Sequence, residues 1–66
     1  MDIKALKQKI DERGLKIKYL AKELNLSYEA MCRKVKGENE FKASEMRKLA
    51  DILDMSNDDI VSIFFT

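Results

Sequence analysis

Residues 17 to 37, IKYLAKELNLSYEAMCRKVKG, read as two short helices joined by a tight turn. Ile17, Leu20, Ala21 and Leu24 recur at spacings of three, one and three, which lays all four on one stripe of the first helix. Ala21 carries the packing argument. Where two helices cross closely, a side chain larger than methyl pushes the second helix off its seat, so a small residue one turn before the bend is a steric requirement. Asn25 supplies the bend, being one of the few non-glycine residues that tolerate the left-handed conformation in which a helix stops and turns. Ser27 restarts the chain as a helix: its hydroxyl can accept from a first-turn amide, and Leu26 and Met31 flank it at the spacing of a hydrophobic staple. Met31 and Val35 then face inward. Ser27, Tyr28, Glu29, Cys32, Arg33 and Lys36 fall on the outward side.

Outward from this stretch the chain keeps to short amphipathic segments. Asp2 caps a first helix with Ile3, Leu6 and Ile10 on one face, closed by Gly14; Gly37 closes the third helix before a polar connection, Glu38, Asn39 and Glu40. Phe41 and Met46 staple the start of a fourth helix, which continues through Leu49, Ala50, Ile52 and Leu53 and ends near Asp54. Ser56 with Asp59 forms a capping box for a fifth, flanked by Met55 and Ile60. No repeat or linker interrupts the chain. The expectation is a single all-α domain over residues 1 to 66, a compact bundle of five short helices, none long enough to stand alone in water.

Composition narrows the function classes. There is no proline, and glycine occurs only at positions 14 and 37, so residue choice favours helix throughout. A domain of 66 residues buries only about 60% of the surface its unfolded chain exposes, which predicts modest stability. The single Cys32 excludes an internal disulfide and fits a reducing cytoplasm; with no histidine, a zinc site of the usual ligands cannot be built. No signal peptide is evident, and the apolar run from Ile60 to Phe65 is too short to cross a bilayer. An enzyme is disfavoured by the absence of histidine, of a glycine-rich phosphate loop and of a nucleophile–base pair, and nothing calls for a cofactor or a small-molecule substrate. The net charge of +1 hides a polarity: residues 1 to 36 carry ten Lys and Arg against five Asp and Glu, whereas residues 37 to 66 carry three against seven. The basic half, at +5, contains the two-helix stretch; a surface divided in this way turns one side toward a polyanion.

The chain resembles the phage repressor and Cro family of helix-turn-helix DNA-binding domains, also called the XRE family, with the lambda-repressor-like fold. The resemblance spans nearly all of it and rests on Leu20-Ala21, Leu24 to Ser27, Met31, Arg33 to Gly37, Phe41, Ser44 to Ala50 and Met55 to Ile60. It is most similar to the short Cro-like subgroup, in which the chain stops after the fifth helix without a regulatory domain. Three positions depart from the family pattern. Ile17 stands where a phosphate-fixing glutamine is usual, Lys16 replaces the Ser or Thr that caps helix two, and Asn25 replaces glycine. Helix two is therefore expected to be poorly capped, with Lys16 able to reach a phosphate directly.

The resemblance implies that helix three enters the major groove of operator DNA with its amino-terminal part against base edges. Base contacts then fall to Ser27, Tyr28, Glu29, Cys32 and Arg33. Arg33 can give two parallel hydrogen bonds to guanine, and Glu29 either accepts from cytosine or pairs with Arg33 four residues on. Tyr28 either touches DNA or lies against the core edge, and Cys32 is either a small apolar residue near a thymine methyl or, less simply, a redox sensor. Lys16, Lys18, Lys34, Lys36 and Lys42 are the candidate phosphate contacts. The tail is the candidate homodimer interface through Ile63, Phe64 and Phe65; the alternative packs Ile60, Val61 and Phe64 inward and leaves Ile63 and Phe65 exposed. The expected activity is transcription regulation, as a Cro-like repressor of a phage or prophage switch in the nucleoid of a prokaryotic host cell. A protein-binding module of antirepressor or antitoxin type, working through the apolar tail, is the alternative.

Overall fold

The computed structural model describes residues Met1–Thr66 and holds five helices: α1 (Ile3–Glu12), α2 (Ile17–Glu23), α3 (Tyr28–Val35), α4 (Ala43–Ile52) and α5 (Asn57–Phe64). The first four end in one device, with a left-handed residue just beyond the helix: Gly14 at φ 65°, Asn25 at 59°, Gly37 at 84° and Asp54 at 51°. At each, the two amides at the turn reach back to helix carbonyls, as in Leu26 N–H to Ala21 at 2.8 Å and Asn25 N–H to Lys22 at 3.1 Å, which satisfies groups the helix end would otherwise strand. Caps start most of them. The side chains of Asp2, Ser27 and Ser56 accept from Ala5, Ala30 and Asp59 amides, and Asp59 returns a bond to the Ser56 amide. No helix is long and apolar enough to cross a membrane.

The helices surround one core, centred on Leu6, Leu20, Met31, Leu49 and Leu53, all fully buried. At about 25 cal/mol for each Å² of apolar surface removed from water, such side chains contribute roughly 1.5 to 3 kcal/mol each, more than any cap. Polar ties then fix how the helices meet. Asp2 N–H donates to the Ile63 carbonyl at 2.7 Å and Lys9 pairs with Asp59 at 3.2 Å, joining α1 to α5. Arg13 Nε donates to the Leu53 carbonyl at 3.2 Å and its guanidinium meets Asp54 at 3.0 Å, joining the ends of α1 and α4.

Two expectations are corrected in this frame. Ile63 and Phe64, assigned to an interface, are core residues, 3% and 8% exposed, and Phe64 meets Phe41 edge-to-face with centroids 6.0 Å apart. The stripe on α5 is Ile60, Ile63 and Phe64, one position round from Ile60, Val61 and Phe64, because the bonds to α1 choose which side of α5 faces in. Of the tail, Val61 and Phe65 are exposed. Lys34, assigned to a phosphate, is also buried: its ammonium lies 2.5 Å from Glu45 Oε1 of α4, both side chains being about one-tenth exposed. Lys34 stands three residues after Met31 and one before Val35, so its position on the helix turns it toward the core.

Two predictions follow from these contacts. Gly14 and Gly37 share a left-handed backbone, but a methyl group at Gly14 meets open space while one at Gly37 collides with the Ile3 side chain. Gly14→Ala should therefore cost about 1 kcal/mol in urea unfolding and Gly37→Ala about 2 or more; equal losses would show that Ile3 yields freely. The second concerns acid. Burial pushes the Glu45 carboxyl up, but the Lys34 ammonium and the Lys42 amide outweigh it and hold it below its ordinary 4.5. The Ser56 amide and Lys9 hold Asp59 below its ordinary 3.8. A depressed carboxyl stabilises the fold fully above its unfolded value and ceases to as pH falls through the folded one. Thermal midpoints should accordingly drop once pH falls below 4.5 for Glu45 and 3.8 for Asp59. Glu45→Gln with Asp59→Asn should flatten that drop, and an unaltered slope would contradict it.

Candidate nucleic-acid interface

Helix α3 packs on α2, and Leu20 and Ala21 of α2, Leu24 at its carboxy-terminal cap and Met31 of α3 are all buried in the shared core. The chain turns through Asn25 in the left-handed region, and Ser27 Oγ accepts from Ala30 N–H at 3.1 Å to begin the second helix. The Ser27 hydroxyl keeps its own proton to donate after capping. With Met31, Lys34 and Val35 turned inward, the other side of α3 is left to solvent.

On that side Tyr28 is 56% exposed, and the side chains of Glu29 and Arg33 are 83% and 55% exposed. Arg33 and Glu29 lie 3.9 Å apart, a loose pair on successive turns that leaves most of the guanidinium's donors free. The Cys32 thiol, one turn on, pushes the Tyr28 phenol above its ordinary 10.0. Cys32 itself is half-buried.

A groove of about 680 Å³ runs beside this face, between the end of α1, the start of α2 and α3. Ile10, Leu15, Ile17 and Val35 form its apolar lining; Tyr28 and Cys32 close one side, and Lys7, Lys16, Lys18 and Lys36 surround it with Asp11 as the sole acid. The fold thus gathers Lys16, Lys18, Tyr28, Cys32 and Lys36, which the sequence singled out, around one opening. Lys42 is exposed but stands at the start of α4, outside the groove, and Lys34 is withdrawn into its pair with Glu45. Lys7 is a cation the sequence reasoning missed. It borders the buried stripe of α1 beside Leu6, and no linear spacing reveals that the α1–α2 turn swings Lys16 and Lys18 alongside it.

Two packed helices joined by a tight turn at Asn25, the second presenting an exposed face beside a lysine-lined groove, define a helix-turn-helix domain. The family model described as the Cro/C1-type HTH DNA-binding domain matches residues 5–65, and the chain belongs to that family. No curated protein and no solved structure matches it. The family places the chain among DNA-binding domains rather than enzymes, as the sequence led one to expect.

The start of α2 is the weak point of the motif, because Lys16 offers the exposed amides no side-chain acceptor. Lys16→Ser should add the missing cap and raise the unfolding free energy by about 1 kcal/mol, measured by urea titration. No gain would mean that those amides are already satisfied by water.

Proposed function

We propose that the protein is a sequence-specific transcription regulator, a Cro-like repressor of a phage or prophage switch, which occupies operator DNA and thereby excludes polymerase or a competing repressor. The observation that carries this reading is the free side of α3, with Arg33 exposed beside Glu29 and the lysines of the neighbouring groove around it. In the major groove Arg33 addresses guanine O6 and N7. Ser27, Tyr28, Glu29 and Cys32 meet the adjacent base edges, while Lys16, Lys18 and Lys36, together with Lys7, neutralise phosphates. Lys42 serves a flanking phosphate. Two copies act together, because one small domain engages few phosphates and a two-fold pair presents two recognition helices one DNA turn apart, about 34 Å. The exposed Val61 of α5 and Phe65 just beyond its end support the pairing surface, in place of the buried Ile63 and Phe64. The sites of action are the operators of the host nucleoid.

The test is selection of binding sites from a random duplex pool at two salt concentrations, followed by titration of variants on the selected duplex. Palindromic sites with steep salt dependence are expected; a pool that remains random would end the reading. Arg33→Ala should cost about 1 to 3 kcal/mol and relax preference at one base pair. Lys16→Ser should instead weaken all duplexes alike and lower the salt slope by about 0.9. Val61→Asp with Phe65→Asp should convert cooperative two-site binding to single-site binding, with sedimentation reporting the change in assembly.

A further inference from the structure

We infer that Lys34 and Glu45 are positioning residues for DNA recognition, their buried pair fixing the angle at which α3 presents Arg33. This rests on the reading of α3 as the base-contacting helix. The start of α3 is fixed by the Asn25 turn, the Ser27 cap and the burial of Met31 in the core. Its last turn is followed by the exposed connection from Lys36 to Glu40. There the chain places a charged pair where two apolar residues would fit.

One oxygen, Glu45 Oε1, accepts from Lys34 Nζ at 2.5 Å and from the Lys42 backbone amide at 2.8 Å. A single atom thus joins the last turn of α3 to the first turn of α4 and closes the connection between them. The ammonium also lies 6.0 Å from the centre of the Phe41 ring, which itself packs on Phe64 of α5. Lys34 is therefore located by elements on both sides of the connection. Apolar contact between helices tolerates small rotations, whereas a nearly buried charged hydrogen bond is directional. Arg33 is the adjacent residue, so a rotation of α3 about its axis moves the guanidinium across a base pair. Recognition geometry tolerates only about 10 to 20° of such movement.

The test uses the full chain and replaces the pair by apolar residues of similar volume, Lys34→Met with Glu45→Leu, a change that in buried ion pairs is often neutral or stabilising. Affinities for the selected duplex and for a scrambled duplex are measured across a salt series, with urea unfolding in parallel. The double variant should remain folded and lose about tenfold in the ratio of selected to scrambled affinity. Its salt slope should stay that of the natural chain, since Lys34 touches no phosphate, and Lys34→Arg, which keeps the pair, should keep the ratio. An unchanged ratio in the folded double variant would reduce the pair to a packing role, and a slope lowered by about 0.9 would make Lys34 a phosphate contact after all. Should the double variant not fold, Glu45→Gln is read by the same two quantities. If the natural chain itself discriminates between no duplexes, the DNA-binding reading fails before any variant is made.

Discussion

The packing of α3 on α2, with Ala21 buried in the core they share, is the constraint from which the rest of the molecule follows. Ala21 occupies little of that core, and Leu20 and Met31 beside it in the same cluster are each fully buried. The turn that makes the packing possible is held by the two backbone bonds around Asn25, so its geometry is set by the main chain as much as by side chains. Asparagine in the left-handed region costs less than most residues but more than glycine. The same closure recurs at Gly14, Gly37 and Asp54, which lets a chain with two glycines and no proline turn sharply four times.

Once α3 is seated, its two sides have opposite electrostatic duties. Lys34, inward, is balanced by Glu45 in a site that water scarcely reaches, and there an unpaired charge costs several kcal/mol. Arg33, outward, shares only a loose exposed contact with Glu29, worth a few tenths of a kcal/mol. The two cations are neighbours in sequence and differ in availability by an order of magnitude in free energy. The basic groove beside them, at the junction of α1, α2 and α3, concentrates the excess positive charge of the first half of the chain on the side where Tyr28 and Cys32 are presented.

Much of this was legible in the residues. The caps at Asp2, Ser27 and Ser56, the stops at Gly14, Asn25 and Gly37, and the inward stripe of Met31 and Val35 are local rules, decided within one helical turn, and the structure keeps them. What escaped was tertiary. Nothing in the sequence says which side of α5 meets α1, since Ile60, Val61, Ile63 and Phe64 offer apolar stripes one residue apart; the bond from Asp2 and the pairing of Lys9 with Asp59 make that choice. Lys34 is a different kind of miss. Its spacing from Met31 and Val35 already turned it inward, and Glu45 stands four residues before the buried Leu49, so both lay on buried stripes. Register outranks residue type here, because a buried lysine needs only one acid on a facing stripe.

That distinction also orders the energetics of the proposed complex. For a guanidinium to move from Glu29 to a guanine, the contact it leaves must be weaker than the one it makes; at 3.9 Å and largely in water the Glu29 contact is worth about 0.3 to 0.5 kcal/mol, against about 1 to 3 kcal/mol for a bidentate base contact. Glu29 then has its own acceptor oxygens free for a neighbouring cytosine. Lys34 meets the reverse condition. Leaving Glu45 would strand a buried carboxylate and release the Lys42 amide from its acceptor, a loss that one solvent-screened phosphate contact does not offset. In the proposed complex, the sorting of cations into those that read DNA and those that hold the reader thus follows from what each leaves behind when it moves.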